Sequence, residues 1–204
     1  MGRGTEFRVF VSSTFGDMVA ERRVLQGEVF PRVDAYCRAR GATLRAIDLR
    51  WGISDEAARD RRTMDICLAE VRRCHRTSPQ LNFLALIGSR YGWRPLPVDI
   101  DAADFVVLVD AAMASERRRL QSAYQRDDNA LPARWVLRPQ PTRASASALL
   151  AAEQGLRAAL DRILERAWPE GDPKRLRYGA SATHLEIAER FALDAGGAST
   201  AVGA

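Results

Sequence analysis

The sequence has little cysteine, one lysine (Lys174) and two histidines, and each shortage excludes something. Three cysteines, Cys37, Cys67 and Cys74, are an odd number, and the start "MGRGTEFRV" lacks the apolar stretch of a secretory leader. A disulfide framework is therefore not expected, and a cytoplasmic location is. Cys67 and Cys74 fall two helical turns apart, about 10 Å by helix rise, too far for a disulfide. Together with His75 and His184 they are metal-ligand types, but neither C-x-x-C nor H-x-x-x-H spacing occurs. Small core residues are expected instead, and no metal. No apolar run approaches the roughly 18 residues of a membrane span, so no membrane partner is expected. The near absence of lysine leaves the net charge of +5 to arginine. With the abundant alanine, this reads as the codon usage of a GC-rich genome and a solvated basic surface, not a nucleic-acid partner. G-x-x-x-x-G-K-[ST], G-x-S-x-G and G-x-G-x-x-G are all missing. That sets aside a Walker A loop, a hydrolase nucleophile elbow and a Rossmann dinucleotide site.

What is present is the material of a globular α/β domain, with or without an added subdomain. The chain has 204 residues, 47% of them hydrophobic and 28% charged. Phe7 to Ser12 reads as a first strand. A helix from about Asp17 to Arg40 follows, with an apolar stripe of Met18, Leu25, Val29, Val33, Tyr36 and Cys37. Pro31, four residues after Gly27, predicts a kink or break there. Ala42 to Leu49 is a second strand, and Met64 to Cys74 a helix that buries Met64, Cys67, Leu68, Val71 and Cys74. Leu81 to Gly88 is almost continuously apolar, the pattern of a central parallel strand. The order β-α-β-α-β implies right-handed crossovers and a parallel sheet.

Beyond "SRYGWRPLP" the rhythm changes. Helices are predicted over Asp101 to Met113, Ser115 to Gln125, Ser147 to Trp168 and Ala182 to Leu193, the last capped by Ser181. Ala133 to Pro139 reads as a short strand or extended segment, "PEGDPKRLRYG" as a loop, and residues 194–204 as a disordered tail.

In an open parallel sheet, ligands bind at the carboxyl ends of the strands. The three ends here are "SSTF", "DLRWG" and "GSRYGW". They bring hydroxyls (Ser12, Ser13, Thr14, Ser89), arginines (Arg50, Arg90, Arg94) and aromatics (Phe15, Trp51, Tyr91, Trp93) to one edge. Arginines suit anions and aromatics suit flat rings, and a nucleotide has both. The same arginines suit the acids Asp48, Asp55 and Glu56, and tryptophans beside glycines also close domain edges. Thr14, three residues before Asp17, reads as half of a capping box for the first helix. Ser12 and Ser13 then line the rim of the pocket.

Seven segments occur in order: "FRVFVSSTFGDMVAERRVL", "VFPRV", "IDLRWGISDEA", "CLAEVRRC", "LIGSRYGW", "YQRDDNALPARWVL" and "SATHLEI". Through them the chain resembles the domain-of-unknown-function family 4062, a Toll/interleukin-receptor-like (TIR-like) domain. The resemblance runs from about Phe7 to Leu193. It implies a flavodoxin-like parallel sheet flanked by helices over residues 1–193, with a helical insertion after strand three at about 97–180. It also implies an N-terminal effector or signalling domain of a NACHT (STAND) ATPase, with repeats elsewhere in the full-length relatives. Such a domain would act by self-association or with other TIR-like domains, in some bacterial proteins in defence against phage. A different implication is NAD cleavage. By motif position Glu186 is the catalytic carboxylate, with Glu70 a weaker substitute. Ser12, Ser13, Thr14, Phe15, Arg50, Trp51, Gly52, Arg90 and Tyr91 would line the substrate pocket. No cofactor is required, and NAD would be the substrate. A third implication is a nucleotide-binding pocket without catalysis. Against a catalytic role, Glu186 and Arg190 are spaced i,i+4 and could simply support their helix. TIR folds usually add two more strands after this helix. A truncated product, a fragment or a stand-alone domain with an open sheet edge is therefore expected.

Overall fold

The computed structural model describes residues 5–14, 16–49, 63–139 and 145–200. The expectations for Phe15, Arg50, Trp51 and Gly52 lie outside them. Two compact units divide the chain. One comprises the described residues up to Trp93 and from Ser181 onward, the other Arg94–Ala180.

The first unit is built on a parallel sheet. Strand β1 (Thr5–Ser13) lies between β2 (Ala42–Ile47) and β3 (Phe83–Leu86), in the order β2-β1-β3. Phe10 registers with both Ile47 and Phe83. Val9, Phe10 and Val11 are buried because β1 has a neighbour on each side. The expectation that the third strand is central is corrected. Among the described residues β3 is an edge, its four residues are only half-buried, and Ile87 beyond it is 75% exposed. A continuous apolar run reports two covered faces but does not say how many strands lie alongside.

The chain adds β2 on one side of β1 and then crosses back to add β3 on the other. Right-handed crossovers therefore put the β1–β2 helices on one face and the β2–β3 helix on the other. On the second face lies α3 (Thr63–Thr77), whose Met64, Cys67, Val71 and Cys74 close a core with Phe10. Leu185 and Leu193 of the last helix, α8 (Ala182–Thr200), pack against that core. Ser181 caps α8 as expected, its Oγ accepting from His184 N at 3.3 Å. The helix continues through Thr200, past the expected end at Leu193. Among the described residues no helix is long and apolar enough to cross a membrane.

The first face carries α1 (Val19–Val24), a π-helical turn (Leu25–Val29) and α2 (Phe30–Arg38). Pro31 sits in the first turn of α2, where its missing N–H costs nothing. The wider π turn before it takes up the misfit that a proline ring makes with the preceding carbonyl. The expected apolar stripe is not a buried one. Val29, Val33 and Tyr36 are 38%, 37% and 61% exposed. The helix docks on β2 partly through a polar contact, Asp34 Oδ1 accepting from Leu44 N at 2.9 Å. Gly27 has open space where a Cβ would stand, although glycine costs about 1 kcal/mol relative to alanine inside a helix.

The second unit has its own core around Ile100, Phe105, Leu108, Leu120, Leu160 and Ile163. It is not purely helical. Strands β4 (Asp99–Asp101), β5 (Tyr124–Asp127) and β6 (Arg134–Leu137) form an antiparallel sheet in the order β4-β6-β5. The segment Ala133 to Leu137 thus contributes to a separate sheet and fills no place in the parallel one. Around this sheet are α4 (Ala102–Ala111), α5 (Ala114–Ala123), α6 (Ala146–Ala167) and α7 (Pro173–Gly179). Trp135 of β6 stacks on Phe105 of α4, the ring centroids 4.0 Å apart. Helix α7 falls where a loop was expected. Its signal was local: Asp172 accepts from Lys174 N at 2.8 Å and Pro173 opens the first turn.

Candidate active site

Successive residues of a strand point to opposite faces, and β1 uses this at its carboxyl end. Ser12 shares the face of Phe10, and its hydroxyl donates to Glu186 Oε2 of α8. Ser13 shares the face of Val11, and its Oγ accepts from Arg22 Nε of α1 at 2.5 Å. Arg22 also pairs with Asp48, just beyond β2, both side chains being almost fully buried. One strand end therefore ties α8, α1 and the end of β2 together through two adjacent serines.

Ser13, Arg22, Asp48 and Glu186 border a cavity of about 290 Å³. Phe10, Val11, Leu49, Met64, Cys67 and Ala182 give it an apolar lining. Ser13, Thr14, Arg22, Asp48, Thr63, Thr183 and Glu186 supply the polar groups, and Trp93 stands at its side, half exposed. The cavity lies at the carboxyl end of the parallel strands, where the order β2-β1-β3 places the topological switch point.

Burial pushes the Glu186 carboxyl above its ordinary value. The Ser12 hydroxyl, the Cys67 thiol and the Arg22 charge pull it back down, and Asp48 pushes it up. Cys67 is pushed up in turn, chiefly by burial and secondarily by Glu186. Its thiol is thus held protonated and is a poor nucleophile.

The structure brings together Ser12, Ser13, Thr14 and Glu186 of the expected set. Ser12 contacts Glu186 and does not border the cavity itself. Thr14 is not a helix cap. Its hydroxyl bonds the Asp17 carboxylate, and the residue preceding α1, Met18, makes no side-chain cap bond. Asp17 in turn accepts from Arg90 N at 3.0 Å, anchoring the "GSRYGW" loop. Gly92 adopts the left-handed conformation (φ 92°) and lies against Thr14, where any Cβ would collide. This brings Trp93 to the cavity. Arg90 and Tyr91 are exposed and stand outside its lining. The Tyr91 hydroxyl lies 2.9 Å from His184 Nδ1. Glu186 does not pair with Arg190, which binds Asn82 Oδ1 and Asp194, both at 2.5 Å. Glu70 lies elsewhere, accepting from Arg8 Nη2 at 3.0 Å. Sequence reasoning missed Arg22 as a site residue and took Asp48 only as a partner for the loop arginines.

The first unit is thus a doubly wound α/β domain of flavodoxin-like, TIR-like type, with a carboxylate at its switch point. Comparison with known proteins makes this more specific. The family model described as "Domain of unknown function (DUF4062)" matches residues 8–109, half of the chain, and the chain belongs to that family. It is 38% identical over 125 residues to NACHT domain- and WD repeat-containing protein 1 of Mus musculus, covering 60% of this chain and 8% of that protein. It is 32% identical over 140 residues to NACHT and WD repeat domain-containing protein 2 of Homo sapiens, covering 67% and 8%. With telomerase protein component 1 of Rattus norvegicus it shares 43% identity over 93 residues, covering 46% and 3%. The chain spans less than a tenth of the length of these relatives. No solved structure matches it.

Proposed function

We propose that this chain is the effector domain of a NACHT-type protein and that its cavity cleaves the bond between nicotinamide and ribose in NAD. The observation that carries this reading is Glu186, buried beside Ser12 and facing a cavity of about 290 Å³ at the switch point. That volume is near the lower end of small-molecule sites, roughly 300–1,000 Å³, and suits a ring with its ribose. The C1′–N bond breaks with its electron pair going to the ring nitrogen, which leaves as neutral nicotinamide. The ionised Glu186 steadies the oxocarbenium-like ribose, and water adds at C1′ and releases a proton. Arg22 is engaged by Ser13 and Asp48, so the phosphates stay outside. In defence against phage, such cleavage would act by depleting NAD.

The test is nicotinamide release from NAD, followed by chromatography with the protein dilute and concentrated. Glu186→Gln abolishes release, and Glu70→Ala leaves it unchanged. Absence of release by the unaltered protein in every assembly state sinks the enzyme. NAD binding without turnover supports a nucleotide-binding module in its place.

A second reading, signalling by self-association, is favoured by a separate observation. Val24, Val29, Val33 and Tyr36 are exposed apolar residues on the helices following β1, and exposed apolar surface is where a partner can dock.

A further inference from the structure

We infer that Arg90 binds the phosphate on the ribose 5′ carbon of the substrate, so that the site selects phosphorylated nicotinamide nucleotides over the bare riboside. On the reading of the cavity as the place of nicotinamide and its ribose, on which this rests, the phosphates lie outside and need a cation there.

The arginine that borders the cavity is already engaged. Arg22 is held by Ser13 and Asp48. Arg90 is not. Its guanidinium forms no hydrogen bond or ion pair with any described residue, and only its backbone N–H is used, donating to Asp17 at 3.0 Å. Arg23, Arg45 and Arg76 also lack a carboxylate partner among the described residues, but they stand on α1, β2 and α3. Arg90 stands in the loop after β3, at the carboxyl edge of the sheet, where the cavity lies.

The side chain is also laid in a defined place. A Cβ on Gly16 would stand 2.9 Å from Arg90 Nη1 and 3.4 Å from Cζ. The guanidinium therefore runs against the bare backbone of Gly16, in the loop after β1. Gly16 follows the cavity-lining Thr14 by two positions, at most about 7 Å of chain. Asp17 joins the same two loops again. One of its oxygens takes the Thr14 hydroxyl and the other the Arg90 N–H. A Cβ on Gly88 would collide with that carboxylate, so the loops meet at a glycine on each side. Both Asp17 oxygens are thus committed, and the Arg90 charge is left for a ligand. A nucleotide whose ribose fills the cavity carries its first phosphate on C5′, just beyond the sugar ring and so at the cavity's edge. A guanidinium meets phosphate oxygens with paired N–H donors.

Nicotinamide release by the whole chain, compared for NAD, nicotinamide mononucleotide and nicotinamide riboside, tests this. The unaltered protein cleaves the two phosphorylated substrates with the higher kcat/KM. Arg90→Ala lowers the ratio of kcat/KM for NAD to that for the riboside by about tenfold or more, through KM, because a charge-assisted contact is lost in binding and not in bond breaking. The mononucleotide follows NAD. Gly16→Ala displaces the guanidinium and lowers the ratio as well, but added to Arg90→Ala it lowers it no further. An unchanged ratio overturns the assignment, whether both substrates are lost equally, as when Arg90 only holds its loop, or neither is. If the unaltered protein cleaves none of the three, the NAD-cleavage reading fails and equilibrium binding decides the rest. Affinity for NAD that falls about tenfold or more in Arg90→Ala upholds the phosphate contact without catalysis. NAD binding indifferent to Arg90, or no binding, overturns it.

Discussion

At the scale of single residues, burial of Glu186 favours its protonated form, whereas steadying a positive ribose needs the carboxylate. NAD cleavage should therefore rise with pH as Glu186 ionises, at a pH above the ordinary carboxyl value of 4.5. The Ser12 hydrogen bond favours the ionised form. Ser12→Ala should raise the Glu186 pKa further and move the acid limb of the pH–rate profile to higher pH. An unmoved limb would mean that another group controls it. Stability runs the opposite way to activity. A folded-state pKa above the unfolded one favours folding below about pH 4.5, and that contribution is lost as pH rises through the folded value. Thermal melts across this range should show the loss in the unaltered protein and a flatter response in Glu186→Gln. Glu186 was legible in the sequence because "SATHLEI" carries a motif. Arg22 was not: in "ERRVL" nothing distinguishes a buried arginine from its exposed neighbour Arg23. Only the contact with Asp48, twenty-six residues away in sequence, makes the difference.

Among the elements, the first unit was readable and the second less so. Strands β1 and β2 and the helix α3 follow from local apolar pattern, which is what a sequence displays directly. The position of β3 at an edge depends on neighbours that its own residues do not record. Strands β4 and β5 are three and four residues long, too short for an alternation to stand out from adjoining helices. The joint between α1 and the ends of β1 and β2 is the element contact with the most at stake. Arg22 and Asp48 are nearly inaccessible (side chains 3% and 4% exposed). Arg22→Met removes the charge that compensates buried Asp48 and should cost about 3–5 kcal/mol, read from urea unfolding. Adding Asp48→Asn should recover part of that loss, because the buried charge goes as well. If the double substitution is as unstable as the two single losses added together, the pair is not coupled and the joint is held by packing.

For the molecule as a whole, the insertion enters and leaves the first unit at one place. Trp93 O accepts from Ala182 N at 2.9 Å, so the chain that departs after Trp93 returns beside it. The second unit closes its own ends in the same manner. Arg157 Nη1 donates to Pro95 O at 3.2 Å and to Tyr178 O at 2.9 Å, holding the first and last turns of the segment together. Asp161 pairs with Arg157 at 2.8 Å and with Arg94 at 2.6 Å. Each unit thus has its own core and its own closure, the condition under which inserted domains can be removed or moved. Replacing Arg94–Ala180 by a short Gly-Ser linker should leave the first unit folded, with near-native helix signal and a cooperative melt. The isolated Arg94–Ala180 segment should also fold, and Arg157→Met should lower its melting temperature, since two backbone carbonyls and the Asp161 carboxylate lose a shared donor. If the shortened chain loses its cooperative melt while the isolated segment keeps one, the second unit is a scaffold on which the parallel sheet depends.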